Sequence, residues 1–599
     1  MKADSGLAKY RRMFDILAVI FLISLLSWHV IRLERESNSS PVQEEPWGVF
    51  VFSDYLTLKA GARFYEGRSF YDYTLQNMTV GYPEFSRGWY HYQVPLTNPN
   101  SSIYYTHSGP MDGVINGVLQ YMGVTSLTRM LEINAALLIL ALGFWYVSAS
   151  LLFGKTVGLI SVVFMGTSLS AVQFAETICA HGQEWFYAFG AVMLFLLAER
   201  ATSGRWIKRV GYGGAWVFVF LQAQNTTEFI PWLQIFFIGY LWISRGNPLR
   251  AWKLILFMLS ASAISLLVHW AIVAGCFGGI SNWFRDVTAG LSRRTTGFTE
   301  AEEIAWKNFD IRETIPFLHK DLKYRIGMDF VDTGILLALI IGAYYLVRRV
   351  LPHGKVRELS AQTKLLLVLL LGGIAFQTVF IQGTVSQTQH MFKTVIPFAG
   401  LLIGFACVMV FRYLFISKKN LIIVIPAVII FLIVSVPIVR DRGDAFEDAN
   451  LHFPDDYYGR SQAELRILTS FVRENTSYGD IIITNTAIPA YEYLADRRFE
   501  VVNDISSVKS AIAAIEDIRQ SLPDSNPASK ISYYFLLSTE SNAEELQGFG
   551  EFAKSVGKLQ CTLDTEGWWI RHNGGMPDGE RKVAFYLYKI NSVLVEQWA

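Results

Sequence analysis

Apolar residues along this chain gather in runs of membrane-crossing length, separated by short polar or charged stretches. A bilayer core takes about 20 apolar residues per helical crossing. Runs of that kind fall near 13–33, 129–152, 156–173, 184–199, 210–224, 228–244, 253–275, 331–347, 364–381, 393–412 and 420–438, which predicts about eleven transmembrane helices. The first run follows Lys2, Lys9, Arg11 and Arg12, is too long for a signal peptide and lacks a small-residue cleavage site, so it reads as an uncleaved anchor. From about Arg440 the pattern changes. Asp480–Thr484, Phe499–Val502 and Ile531–Leu537 read as strands, and Ile488–Ala495 and Val508–Arg519 as helices. Strands alternating with helices predict a small, largely parallel sheet.

The basic residues fix an orientation for these spans. With the amino terminus inside, the cytoplasmic loops hold Lys155, then Arg200 to Arg209, Arg245 to Lys253, Arg348 to Lys364, and Arg412 to Lys419. The three short outer loops, about 173–184, 222–228 and 382–393, hold only Lys393. This is the alternation that the positive-inside rule expects, and a miscount by one span would destroy it. Two long loops, 34–128 and 276–330, then share the outer side with residues 440–599, expected to be a soluble extracytoplasmic α/β domain after a membrane domain of residues 1–439. The sequons at Asn38, Asn77, Asn100, Asn225 and Asn475 fall on that side too.

Composition adds exclusions. The chain is 52% hydrophobic and 17% charged, with a formal net charge of +1, which argues against nucleic acid as a partner. Its four cysteines are scattered without a C-x-x-C spacing and specify neither a zinc site nor a disulfide framework. No glycine-rich phosphate loop accompanies the strands near the carboxy terminus. No internal repeat marks the two-fold construction common in transporters.

The first outer loop carries the richest pattern. Leu56, Ala60, Phe64 and Tyr65 recur at helical spacing, which predicts an amphipathic helix on the membrane surface with Asp54 at its start. By position Asp54 could simply cap that helix. Further on, Tyr104-Tyr105-Thr106-His107-Ser108-Gly109-Pro110 reads as a turn before a second, mostly apolar helix. An Asp, a following helix from Ala60 to Gly67, and the aromatic–His–Pro turn from Tyr105 to Pro110 resemble the GT-C glycosyltransferases. The closest pattern is that of the protein O-mannosyltransferases and the aminoarabinose lipid-sugar transferases. Two departures stand out: Ser53 and Tyr55 flank Asp54, so the Asp–Glu pair of some members is absent, and Gly109-Pro110 replaces the usual double proline.

The resemblance implies a polytopic α-helical membrane enzyme that uses polyprenyl-phosphate-linked sugars, with a soluble outer domain after the last span. Such a transfer needs a base for the acceptor's proton and cations for the departing phosphate, all on the outer face. Asp54 is the expected base. A second acid belongs to the loop between the third and fourth spans, where Glu176 and Glu184 are both candidates and His181 shares a helix face with Glu184. For the phosphate, the candidates are His390 and Lys393 before a late span, with Arg285, Arg293 and Arg294 in the second long loop as another cluster. His107 could orient the acceptor or meet the phosphate. The sequence requires no cofactor and assigns no metal ligands, leaving a divalent ion open. The expected partners are the lipid-linked donor, membrane lipid and an extracytoplasmic acceptor, whether lipid, glycan or protein. The rival readings are a secondary transporter and a non-catalytic membrane scaffold.

Overall fold

The structure, a computed structural model, describes residues 11–39, 76–77, 104–105, 109–284, 361–379, 393–416 and 462–598. Short gaps within these stretches are at 125, 169–170, 172–174, 176, 179, 202–203, 247–250, 277–278, 282, 478–479, 486–494, 496, 503–504, 522–530, 540–542 and 566–582. The surface helix expected from Asp54 and the spans expected near 331–347 and 420–438 lie outside the described residues.

Helix α1 (Arg11–Ser39) is followed by a two-residue ribbon in which β1 (Gln76–Asn77) pairs antiparallel with β2 (Tyr104–Tyr105). Then come α2 (Met111–Tyr121), α3 (Leu127–Phe153), α4 (Lys155–Gly166), α5 (Ala180–Arg200), α6 (Arg205–Asn225), α7 (Phe229–Arg245), α8 (Trp252–Cys276), α9 (Ala361–Val379) and α10 (Ile396–Ile416). Among the described residues, three segments are helical, long and apolar enough to cross a membrane: Arg12–Arg35, Leu127–Phe153 and Trp252–Cys276. The sharp reversal from α3 into α4 is made at Gly154, whose φ of 101° is open to glycine and strained for other residues. The α4 helix stops short of the expected 156–173. Thr167 and Ser168 turn their hydroxyls back onto the carbonyls of Val163 and Met165, at 2.8 and 2.6 Å, and so end the helix locally.

Within lipid, helices gain little from hydrophobicity alone, and their association rests on close packing. The core of the bundle is accordingly aromatic and tightly interdigitated. Trp145 and Phe189 have ring centroids 4.8 Å apart, and Trp232 lies 6.2 Å from each of them. All three are fully buried, and Trp145 Nε1 is satisfied by Ser161 Oγ at 3.0 Å. Small residues allow the closest approach. Gly400 and Gly404, one turn apart on α10, press against α4, where a Cβ on Gly404 would lie 2.7 Å from the carbonyl oxygen of Val157.

In the carboxy-terminal part, α11 (Gln462–Asn475) precedes β3 (Ile481–Thr484), β4 (Arg498–Val501), α12 (Ile505–Ser521), β5 (Tyr533–Ser538), α13 (Ala543–Val556), β6 (Gly557–Thr565), β7 (Val583–Ile590) and α14 (Ser592–Trp598). The sheet order is β4-β3-β5-β7-β6. The expectation of a largely parallel sheet needs correcting. β3 is parallel to β4 and β5, whereas β7 runs antiparallel to both β5 and β6, because the chain returns after β6 and inserts β7 between the two. β3 and β5 read as unbroken apolar runs because both faces of the sheet are covered. Ile481, Ile483, Phe535 and Leu537 pack with residues of α12 and α13. Ile482, Tyr534, Leu536, Phe585 and Leu587 form a second cluster with Leu468 and Val472 of α11. That cluster also contains Leu33 at the end of α1, Leu127, Met130 and Leu131 at the start of α3, and Ile178 just before α5. The sheet is thereby seated on one end of the helical bundle.

The small-residue seam has a direct test. Gly404→Ala would force a methyl against backbone, and overpacking of this kind costs about 1–3 kcal/mol. The thermal unfolding midpoint in detergent should fall measurably for Gly404→Ala. It should hold for Gly143→Ala, where the nearest atom to the new methyl is 3.8 Å away.

Candidate active site

Three buried charges meet at the bundle end that carries the sheet. Glu184 lies in the first turns of α5, Glu228 immediately before α7, and Lys393 just before α10. Glu184 and Lys393 are fully buried and Glu228 is 8% exposed. The Lys393 ammonium forms an ion pair with Glu184 Oε2 and another with Glu228 Oε2 at 3.0 Å. The other oxygen of Glu184 accepts a hydrogen bond from Thr226 Oγ1, and Gln222 Nε2 donates to that hydroxyl at 3.2 Å. Trp185 Nε1 donates to the Lys393 carbonyl at 3.3 Å, and the next hydroxyl, Thr394 Oγ1, donates to Gly373 of α9 at 2.7 Å.

The local sequence explains why these groups can converge. Asn225-Thr226-Thr227-Glu228 is the tight corner between α6 and α7, where polar side chains can turn to neighbouring backbone. Gly373 lets the chain around Thr394 and Val395 pack directly on α9, with a would-be Cβ only 3.1 Å from the Thr394 carbonyl. A charged group in such surroundings is costly unless paired, and removing one partner of a buried pair typically costs about 3–5 kcal/mol. The three charges therefore behave as one unit.

A second set of contacts adjoins this unit. Asp112, on the first turn of α2 and 3% exposed, accepts from its neighbour's amide, Gly113 N, at 2.8 Å and from Ala180 N at 3.2 Å. Asn116 Nδ2 donates to the Asp112 carbonyl at 2.7 Å and to the Ile178 carbonyl at 3.4 Å. Asn225 Nδ2 donates to the Ala180 carbonyl at 2.7 Å.

Of the residues singled out from the sequence, Glu184 and Lys393 are brought together, the supposed acid with the supposed phosphate cation. Lys393 is enclosed by carboxylates in this arrangement, and its charge is directed inward. His181 lies on the first turn of α5, and its side chain is not described. Asp54, His107, Glu176, Arg285, Arg293, Arg294 and His390 lie outside the described residues. Glu228, Asp112 and Asn225 were missed. Glu228 had a signal, being an ionisable residue wedged between two apolar stretches, where charge is disfavoured unless it has a use or a partner. Asp112 and Asn225 had none, since both types are ordinary at turns and helix starts. Among the described residues, no group of three or more His, Cys, Asp or Glu side chains is disposed to hold a metal ion.

No family model and no curated protein matches the sequence. Solved structures do match in three dimensions. The crystal structure of the Archaeoglobus fulgidus oligosaccharyltransferase tethered with an acceptor peptide containing the NVT sequon gives a TM-score of 0.50 at 13% identity, over 97% of this chain and 76% of that one. The archaeal oligosaccharyltransferase AglB from the same organism, in complex with an inhibitory peptide and a dolichol-phosphate, gives 0.50 at 14% identity over 96% and 76%. ArnT from Cupriavidus metallidurans bound to undecaprenyl phosphate gives 0.43 at 10% identity over 96% and 98%. The oligosaccharyltransferase is a GT-C glycosyltransferase, and this chain has its fold.

The ion cluster makes a testable distinction between its two carboxylates. Lys393→Met would remove the cation that both carboxylates share and should abolish recovery of folded protein, or lower its unfolding midpoint steeply. Glu228→Gln keeps Lys393 and Glu184 paired one to one and should yield monodisperse protein on size-exclusion chromatography.

Proposed function

We propose that this chain is an integral-membrane glycosyltransferase of the GT-C type, which moves a sugar from a polyprenyl-phosphate carrier to a hydroxyl-bearing acceptor outside the cytoplasm. The observation that carries this reading is the buried Glu184–Lys393–Glu228 unit at the sheet-bearing end of a bundle with the GT-C fold. Buried charge is expensive, and clusters of it gather where chemistry needs a fixed field. The cluster end of the bundle is also the end at which Asp112 of α2 meets the start of α5. In the proposed topology the amino terminus is cytoplasmic, while the long loops and the carboxy-terminal part lie outside.

In this mechanism Asp54 takes the proton of the acceptor hydroxyl as its oxygen attacks the anomeric carbon. The bond between that carbon and the phosphate oxygen breaks, the electron pair leaves on the polyprenyl phosphate, and the sugar is inverted. The departing phosphate needs cations that are free to meet it. Lys393 is held by two carboxylates, so that task falls to Arg285, Arg293, Arg294 and His390, with His107 orienting the acceptor. Lys393 is then a positioning residue. It anchors the segment that carries His390 by gripping Glu184 and Glu228. Glu176 remains the candidate second acid, and His181 a candidate substrate contact.

Asp54→Asn tests the base. The amide is the same size and still caps a helix, so unfolding should barely shift, while loss of a general base lowers turnover by about 10²–10⁴. Transfer from purified polyprenyl-phosphate sugar by folded Asp54→Asn protein at the wild-type rate would exclude this role. For the phosphate, Arg293→Ala should raise the donor KM about ten- to a hundredfold, the loss of one charge-assisted hydrogen bond. The KM for the acceptor should stay as it was.

A further inference from the structure

We infer that Asp112 and Asn225 are positioning residues for the Glu184–Lys393 pair, acting through one peptide group, that of Ala180; the catalytic consequence rests on the function proposed above. Ala180 is the first residue of α5, so its N–H is one of the four amides that a helix leaves without an internal acceptor. Asp112 accepts from that N–H at 3.2 Å, and Asn225 donates to the carbonyl of the same residue at 2.7 Å. Both side chains are buried, at 3% and 0% exposure. The start of α5 is thus held from two sides, by the outer-loop helix α2 and by the corner between α6 and α7.

Glu184 follows Ala180 by four residues and stands one turn further along the same face of α5. Its carboxylate is gripped by Thr226, the neighbour of Asn225. Asn225 and Thr226 therefore hold the two ends of one helical turn, the first by backbone and the second by side chain. On the other side, Asp112 cannot drift independently of α5. Asn116 joins its carbonyl to that of Ile178, and Gly109, just ahead of α2, packs so closely on the α6 end that a Cβ there would lie 2.1 Å from the Gln224 carbonyl oxygen. Gln224 is tied in turn to Ser265 of α8 at 2.8 and 3.0 Å. A shift of the chain ahead of α2 is consequently passed through Ala180 to Glu184, and through Glu184 to Lys393. The first two residues of the sequon Asn225-Thr226-Thr227 are built into this clamp, with the Asn225 amide on the Ala180 carbonyl and the Thr226 hydroxyl on Glu184.

Hydrogen–deuterium exchange on the purified full-length chain reads the clamp without any assay of transfer. Asp112→Ala frees the Ala180 amide, and loss of one buried hydrogen bond should speed exchange about tenfold in the peptide covering 180–185. The change should extend to 393–396, and Asp112→Asn, whose single amide oxygen cannot replace both carboxylate oxygens on Gly113 N and Ala180 N, should give exchange between that of wild type and Asp112→Ala in both. Acceleration confined to 109–116, or none at all, would overturn the inference. Asn225→Ala releases the same peptide from its other side and serves where Asp112→Ala does not fold. With a polyprenyl-phosphate sugar donor, Asp112→Ala should lower kcat with little change in donor KM, and Asp112→Asn should recover part of it. Wild-type protein that transfers no sugar but shows the exchange pattern would refute the proposed function and leave the clamp standing.

Discussion

An ammonium group buried among helices has to find carboxylates, and here one lysine finds two. In a low-dielectric interior the attraction between such charges is several times what it is at a surface, and so is the cost of leaving one alone. Lys393 before α10, Glu184 on α5 and Glu228 before α7 come from distant parts of the chain, and the lysine pairs with both carboxylates. The opposite end of the bundle makes a useful contrast. Asp15 and Lys155 also form an ion pair there, but their side chains are 43% and 35% exposed. Water can solvate either partner, and a pair of that kind is worth little. The same bond type is an adornment at one end and a requirement at the other.

The rest of the architecture serves to bring that requirement about. Aromatic packing around Trp145, Phe189 and Trp232 and the glycine seam between α4 and α10 set the helix spacing. The sheet is covered by α12 and α13 on one face, while its other face joins the ends of α1 and α3 in a common apolar cluster. That shared cluster puts Ile178 under the sheet and Ala180 two residues further on, so the start of α5 is fixed between the carboxy-terminal sheet, α2 and the α6–α7 corner. Positioning of the first turn of α5 is thus over-determined, by one apolar and two polar contacts of different origin.

A consequence concerns the division of labour among cations. A lysine already neutralised by two carboxylates is a poor counter-ion for an arriving phosphate, because binding would require breaking pairs that are costly to break. Arginines in the second long loop have the planar fork suited to phosphate. In the proposed mechanism Lys393 therefore organises the site, and the arginines meet the substrate.

The sequence by itself determined the membrane class of the protein, since runs of twenty apolar residues admit little else. It also marked Glu184, an acid at a membrane end, and Lys393, the one cation of the three short outer loops. Apolar runs such as Ile481–Ile483 and Tyr533–Leu537 announced buried strands without giving their direction. Whether β7 would lie parallel or antiparallel to β5 depended on where the chain returned after β6. What only the tertiary structure decided was pairing. Residues 184 and 393 are separated by 209 positions, and no spacing rule links an acid to a base across that distance. Asn225 looked like an ordinary corner residue and Asp112 like an ordinary helix start, while Glu228 stood out only as an acid between two apolar stretches. Their roles come from which peptide and which ammonium the packing sets beside them, and that is a property of the folded chain, because short-range patterns report local conformation and not the partner across the bundle.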